Sequence, residues 1–280
     1  IAKQYGILPD YLLGQHFVAD GGFLNKMTLG VDDRTVVIEV GPGLGQLTEV
    51  LSRRAKKVIA IEVDTRFRLP LIQLQKKFKN IELVFDNALS NVVEDIISRE
   101  RKLNNKVYVV SNLPYHITEP FINKLAKIED VGATLMVGKK FGYQARINNP
   151  EDLQFSELSY ICKSFFSIEK ISDVPKDTFW PVPKTDSVIL KFIPKPINGY
   201  DFLGRFLILG QKHNTLIKNA LMNALVELNK SKGINTTKNQ ARIIINGLEM
   251  SQEILNKSFS QLNNDGVRTL ASSINALQLT

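Results

Sequence analysis

Asn112-Leu113-Pro114-Tyr115 is the stretch of this chain best equipped for chemistry. An apolar run, Val107–Val110, leads straight into it and reads as a strand. The end of that strand presents an amide, two free backbone carbonyls, a rigid turn and an aromatic ring together. Such a set can grip a flat, amine-bearing ring such as a nucleobase.

A second set sits upstream. Glu39-Val40-Gly41-Pro42-Gly43-Leu44-Gly45 separates a β-rich run from a helical one. Its glycines permit tight turning and close approach of backbone to a ligand, and the next helix points its free amides there. On spacing alone a plain βα turn stays open. A dinucleotide fingerprint wants G-x-G-x-x-G; here the third glycine comes one residue early and Glu39 precedes the first. This shorter form resembles the S-adenosylmethionine motif of class I methyltransferases. That cofactor carries a sulfonium and an amino group, both of which favour nearby acceptors. Glu62, about twenty residues on, suits the hydroxyls of a ribose. Asp86-Asn87 closes the next strand, where a polar side chain can accept from the cofactor's adenine amine.

These residues need a scaffold, and the pattern supplies one. Strands are expected at Thr35–Val40, Lys57–Glu62, Ile81–Phe85, Val107–Val110 and Thr134–Val137. Helices are expected at Gln46–Ala55, 66–78, Val92–Glu100 and Pro120–Lys127, with a short one at Gly21–Leu29 and an irregular arm over 1–12. Alternation of this kind implies an α/β fold with a doubly wound, Rossmann-like parallel sheet. Ser159–Ile168 and Ser187–Phe192 read as an antiparallel edge hairpin. The proline-rich segment between them, Val174–Lys184, reads as a stiff surface loop. Ile193-Pro194-Lys195-Pro196 marks a linker, so residues 1–194 form one expected domain. Residues 195–280 form a second, small and all-helical, with helices at 201–229, 238–246, 251–256 and 266–277.

Composition narrows the setting. The chain has 280 residues, 44% hydrophobic and 23% charged, within the range of globular proteins. No run approaches a membrane span, no signal peptide is visible, and a start at Ile1 leaves room for a short preceding segment. One cysteine, Cys162, excludes an internal disulfide and a zinc cluster, and fits a reducing, cytoplasmic setting. His16, His116 and His213 are too dispersed for a metal site. Net charge is +8 and the pI about 9.4, which suits a polyanionic partner; residues 195–280 are the more basic part per residue.

Taken in order, four blocks resemble the ribosomal RNA adenine N6-dimethyltransferase family, small-subunit, kasugamycin-resistance type. They are Leu13-Gly14-Gln15-His16-Phe17, the Glu39–Gly45 loop, Asn112–Tyr115 with Ile117-Thr118, and Phe179-Trp180-Pro181-Val182-Pro183-Lys184-Thr185-Asp186-Ser187. A weaker echo lies at Gln211–Asn214 through Asn219-Ala220-Leu221. The resemblance implies a class I methyltransferase domain that binds S-adenosylmethionine through His16, Val18, Glu39, Gly41, Gly43, Gly45, Glu62, Asp86 or Asn87, and Asn112. It implies that Asn112 and the Leu113 carbonyl accept from the target N6 amine. Pro114 shapes the turn, Tyr115 stacks on the extruded base, and Phe179 lies on its other face. The expected partner is small-subunit ribosomal RNA in a pre-30S-type particle, and the expected state is a monomer in the cytoplasm.

The chain departs from the family in places. Alignment of Ala88-Leu89 puts Asn87 at the adenine-contacting position, unless Asp86 shifts in through a bulge. Gly138-Lys139-Lys140 replaces the usual Gln-Lys-Glu, and Phe155-Ser156-Glu157-Leu158-Ser159 replaces Tyr-Gly-x-Leu-Ser. Two alternatives therefore stand beside the main expectation: a large-subunit RNA adenine methyltransferase, and a non-catalytic RNA-binding or ribosome-assembly factor on the same fold.

Overall fold

The computed structural model describes residues 2–10, 13–18, 20–195, 204–205, 215–231, 233–247 and 250–276. Two compact units divide the chain. One comprises residues 1–142 and 168–194, the other 143–167 and 195–280. The segment 143–167, grouped with the first domain on sequence grounds, clusters with the second.

The first unit is built on a mixed sheet. Its strands are β2 (Thr35–Val40), β3 (Lys57–Ile61), β4 (Ile81–Val84), β5 (Lys106–Asn112), β6 (Gly132–Gly138), β7 (Phe166–Val174) and β9 (Ser187–Pro194), in the order β4-β3-β2-β5-β6-β9-β7. The ladders from β4 through β6 are parallel, and β9 runs antiparallel to β6. All six residues of β2 are buried, as expected of a strand covered on both faces. Helices α1 (Gly21–Met27), α2 (Gln46–Ser52), α3 (Arg68–Lys77), α4 (Val92–Lys102) and α5 (Tyr115–Leu125) connect the strands. Leu47 and Leu51 of α2 pack with Val37, Val58 and Val110 in the core. Strand order reverses between β3 and β5, on either side of β2. The carboxyl ends of β2 and β5 therefore open onto one crevice.

Two expectations fail here for local reasons. Ser159–Ile168 is not a strand: residues Glu157–Phe165 form helix α7, and β7 begins only at Phe166. Ser156 and Ser159 form a capping box at its start. Leu158, Ile161, Cys162 and Phe165 recur at helical spacing and are all buried. The helix expected from Pro120 instead begins at Tyr115. Pro114 precedes it in extended conformation, and the buried face of Thr118, Phe121, Ile122 and Leu125 holds the helix together despite the donor missing at Pro120. A further helix, α6, spans Lys139–Ala145.

The proline-rich segment is not purely irregular. Phe179–Trp180 forms β8, antiparallel to β1 (Phe17–Val18), with Phe17 opposite Trp180 and Val18 opposite Phe179. Ala2–Tyr5 makes a 3-10 turn in the N-terminal arm. Beyond the sheet lie α8 (Ile217–Ser231), α9 (Lys238–Asn246), α10 (Gln252–Leu255) and α11 (Asn264–Ala276). The start of the helix expected over 201–229 and the basic stretch Gln211–Asn214 lie outside the described residues. Among the described residues no helix is long and apolar enough to cross a membrane.

Candidate active site

A cavity of about 380 Å³ opens at the carboxyl ends of the parallel strands. It gathers every expected site residue except Gly45.

The glycine loop forms its floor. Gly41, Gly43 and Gly45 all hold positive φ, at 67°, 54° and 83°. Gly43 also needs the space: a Cβ there would lie 2.9 Å from the Phe17 ring. Gly45 serves packing instead of contact with a ligand. It caps α2, and a Cβ would meet Leu74 of α3 at 2.9 Å.

Two carboxylates flank the loop. Glu39, 1% exposed, leaves Oε2 with no hydrogen-bond partner among the described residues. Burial, with a further push from the nearby Glu62 charge, raises its pKa to about 8. Glu62 is better satisfied: its oxygens accept the Gly43 N–H at 2.9 Å and the Asp64 N–H at 2.8 Å. Burial still pushes its pKa up, against those backbone hydrogen bonds.

Asp86 and Asn87 both reach the cavity, with different free atoms. The Asn87 Oδ1 is occupied by the Leu89 N–H at 2.9 Å. Asp86 uses Oδ1 for the Asn87 N–H at 2.6 Å and the Ser90 hydroxyl, and its Oδ2 has no hydrogen bond among the described residues.

On the far wall, Asn112 ends β5 and Tyr115 opens α5. The Asn112 amide donates from Nδ2 to the His16 carbonyl at 3.0 Å. A carbonyl can only accept, so this contact fixes the amide and leaves Oδ1 as an acceptor. Leu113 anchors the turn by donating its N–H to the Met136 carbonyl at 3.1 Å. The Tyr115 ring lies near-parallel to His16, with centroids 6.1 Å apart, and its hydroxyl shares a 2.8 Å hydrogen bond with that of Ser187. Partial burial raises the Tyr115 pKa.

Phe179 is not an open stacking face here. It is 3% exposed and packs in the core with Val18, Leu24 and Val174, while still lining the cavity. His16 likewise does more than face a ligand: its Nδ1 bonds the Pro181 carbonyl at 2.7 Å, tying the N-terminal block to the proline-rich segment.

Gln15 belongs to the Leu13–Phe17 block but is not among the expected site residues. Its Oε1 accepts the Asp10 N–H at 2.9 Å, and its Nε2 donates to Asp64 at 2.7 Å. Arg66 completes the cluster with a 2.6 Å ion pair to Asp64. Burial would raise the Asp64 pKa, but the Arg66 and Gln15 hydrogen bonds outweigh it and hold the group below its usual range. The strap of residues 13–18 lines the cavity and is held at Gln15 and His16 and by the pairing of Phe17 and Val18 with β8. Gly14 (φ 62°) permits the close pass, since a Cβ would sit 3.3 Å from His116. The sequence signal was the short spacing from Glu62 to Asp64, an acid with no role of its own until the strap is folded over it.

The ribosomal RNA adenine dimethylase family model matches residues 11–257 of this chain. The chain belongs to that family. Ribosomal RNA small subunit methyltransferase A of Bacillus mycoides (strain KBAB4) is 32% identical over 203 residues, 70% of this chain and 69% of the relative. The corresponding protein of Bacillus thuringiensis (strain Al Hakam) matches to the same extent. Among solved structures, a dimethyladenosine transferase from Plasmodium falciparum is 27% identical, with a TM-score of 0.59 over 91% of this chain and 96% of that one. The 23S rRNA methyltransferase ErmE shares the fold, at 20% identity and a TM-score of 0.55 over 92% and 99%. In this rRNA adenine dimethylase the altered 138–140 run has a visible consequence. Gly138 lies under the Tyr115 ring, while Lys139 and Lys140 are exposed.

Proposed function

We propose that this chain dimethylates the N6 amines of two adjacent adenosines in small-subunit ribosomal RNA, using S-adenosylmethionine. The observation that carries the reading is the orientation of Asn112. Its NH2 donates to the His16 carbonyl, which leaves Oδ1 to act as an acceptor on a side chain that lines the cavity together with Tyr115 and the glycine loop.

The residues suit that cofactor. Glu39 offers a buried oxygen without a partner, matched to an ammonium or a sulfonium. Glu62 can accept from ribose hydroxyls with its remaining lone pairs, and Gly41 and Gly43 let backbone approach. Asp86 Oδ2 suits an adenine amine, which is a donor, and Asn87 Oδ1 can accept only beside the Leu89 N–H it already holds. Val18 and the His16 backbone close the strap above. S-adenosylmethionine supplies an electrophilic methyl group on a sulfonium.

The chain's own task is to make a poor nucleophile reactive and to place it. An adenine amine delocalises its lone pair into the ring. Asn112 Oδ1 and the Leu113 carbonyl accept from the two N–H bonds, hold the nitrogen toward tetrahedral geometry and free the lone pair. Tyr115 supplies an aromatic face for a base taken out of its stack. Placement accounts for much of the rate, and no strong general base is required, because the proton can leave after attack. The basic helical unit supports binding to the RNA backbone.

The test is transfer of labelled methyl groups to unmethylated small subunits, followed by mapping of the modified nucleotides. Dimethylation of neighbouring adenosines is expected. Labelling of large subunits alone would reassign the substrate. Binding of cofactor and RNA without transfer would make the chain an assembly factor.

A further inference from the structure

Tyr115 rests on a seat made by two residues that are far from it in sequence. Gly138 ends β6 and Ser187 begins β9, and the antiparallel register places them directly opposite each other. Both are buried. Gly138 lies close under the ring: a Cβ built there would make van der Waals contact with Cδ1, Cε1 and Cγ of Tyr115 at 3.6 to 3.8 Å. The ring therefore lies against the backbone where β6 ends, with no Gly138 side chain between. Ser187 supplies direction, since its hydroxyl and the Tyr115 hydroxyl are 2.8 Å apart. Backbone geometry fixes the other end of the side chain, because Tyr115 is the first residue of α5.

We propose that Ser187 is a positioning residue for base recognition, and that the Gly138–Ser187 pair sets the angle of the Tyr115 ring. The inference rests on the function proposed above. A tyrosine that stacks on an extruded base must keep one face open and at a fixed tilt to the Asn112 acceptor. A rotating ring would present the base amine at varying angles. Ser187 holds the hydroxyl end in place and so fixes the direction of the ring axis, and the close approach of Gly138 to one face limits rotation about that axis. Ser187 touches neither base nor cofactor; it acts through Tyr115.

Ser187→Ala and Tyr115→Phe each remove the same hydrogen bond, from opposite sides, and Tyr115→Phe leaves the buried strand intact. Each should lower kcat/KM for small-subunit RNA by about five- to tenfold, the size of one lost hydrogen bond, with the loss in the RNA terms. Affinity for S-adenosylhomocysteine, measured by calorimetry, should change less than about twofold, since Ser187 does not line the cavity. The double variant should be no worse than the poorer single, because the two changes delete one interaction. Gly138→Val adds carbons to a Cβ that already touches the ring, and should impair RNA turnover while sparing cofactor affinity. Melting temperatures of all variants separate misfolding from mispositioning.

Full RNA turnover by Ser187→Ala, multiplying losses in the double variant, or an equal loss of cofactor affinity would each overturn the assignment. Wild-type protein that moves no methyl group to RNA would overturn the function itself, and this inference with it. A wild type that is active beside an unaffected Ser187→Ala would overturn only the seat.

Discussion

Asn112 and Glu39 are the two side chains whose state in the free protein has direct chemical meaning. Asn112→Ala removes the acceptor but not the cavity. Transfer should fall by roughly a hundredfold or more, the scale of a lost transition-state hydrogen bond, while cofactor affinity stays nearly intact. Unchanged turnover would remove Asn112 from the chemistry. Glu39 has its pKa raised from 4.5 to about 8, so at neutral pH the folded protein keeps it mostly protonated. A bound cation favours the ionised form. Cofactor binding should therefore release a proton near pH 7 and tighten as pH rises toward 8, as calorimetry in buffers of different ionisation enthalpy will register. The stability linkage has the opposite sense. A carboxyl whose folded pKa exceeds its unfolded one contributes stability that is fully present below about pH 4.5 and lost as pH rises through about 8. Glu39→Gln should flatten both dependences.

At the scale of elements, the strap and the glycine loop depend on each other. Phe17 covers Gly43 on one side and stacks on Trp180 on the other, with ring centroids 6.1 Å apart. Trp180, 46% exposed, is the chain's single tryptophan, so its fluorescence reports on this corner. Asp64→Ala takes away the partner of Gln15 and Arg66. It should loosen the strap, weaken cofactor binding by roughly tenfold through the lost charged hydrogen bonds, and alter Trp180 emission. An unchanged spectrum and affinity would mean that the strand pairing of β1 with β8 holds the strap unaided. Gly45→Ala is a packing change: a positive φ and a 2.9 Å approach to Leu74 both oppose a Cβ. A cost of about 1 to 3 kcal/mol is expected, visible in thermal or denaturant unfolding.

For the whole molecule, the net charge of +8 is a statement about association. RNA affinity should fall steeply with salt, by at least about tenfold between about 50 and about 200 mM, because phosphate contacts release counterions. A flat response in filter-binding or anisotropy measurements would remove the basic helical unit from recognition. Folded RNA is expected to be read by shape more than by sequence.

The parallel strands themselves, the glycine loop and the Asn112–Tyr115 turn are legible in the chain. Each is a local signal: an apolar run of one length, a glycine where φ is positive, a proline where a turn begins. Ser159–Ile168 reads as a strand because a short apolar run fits strand and helix alike; the capping pair Ser156 and Ser159 favours the helix that forms. Tertiary structure alone decided the rest. The pinning of Gln15 by Asp64, the burial of Phe179, the free oxygen of Asp86 and the seat of Tyr115 on Gly138 and Ser187 all join residues from separate elements. Such contacts are set by strand register and by the direction in which side chains leave the backbone, and neither is written in the spacing of one segment.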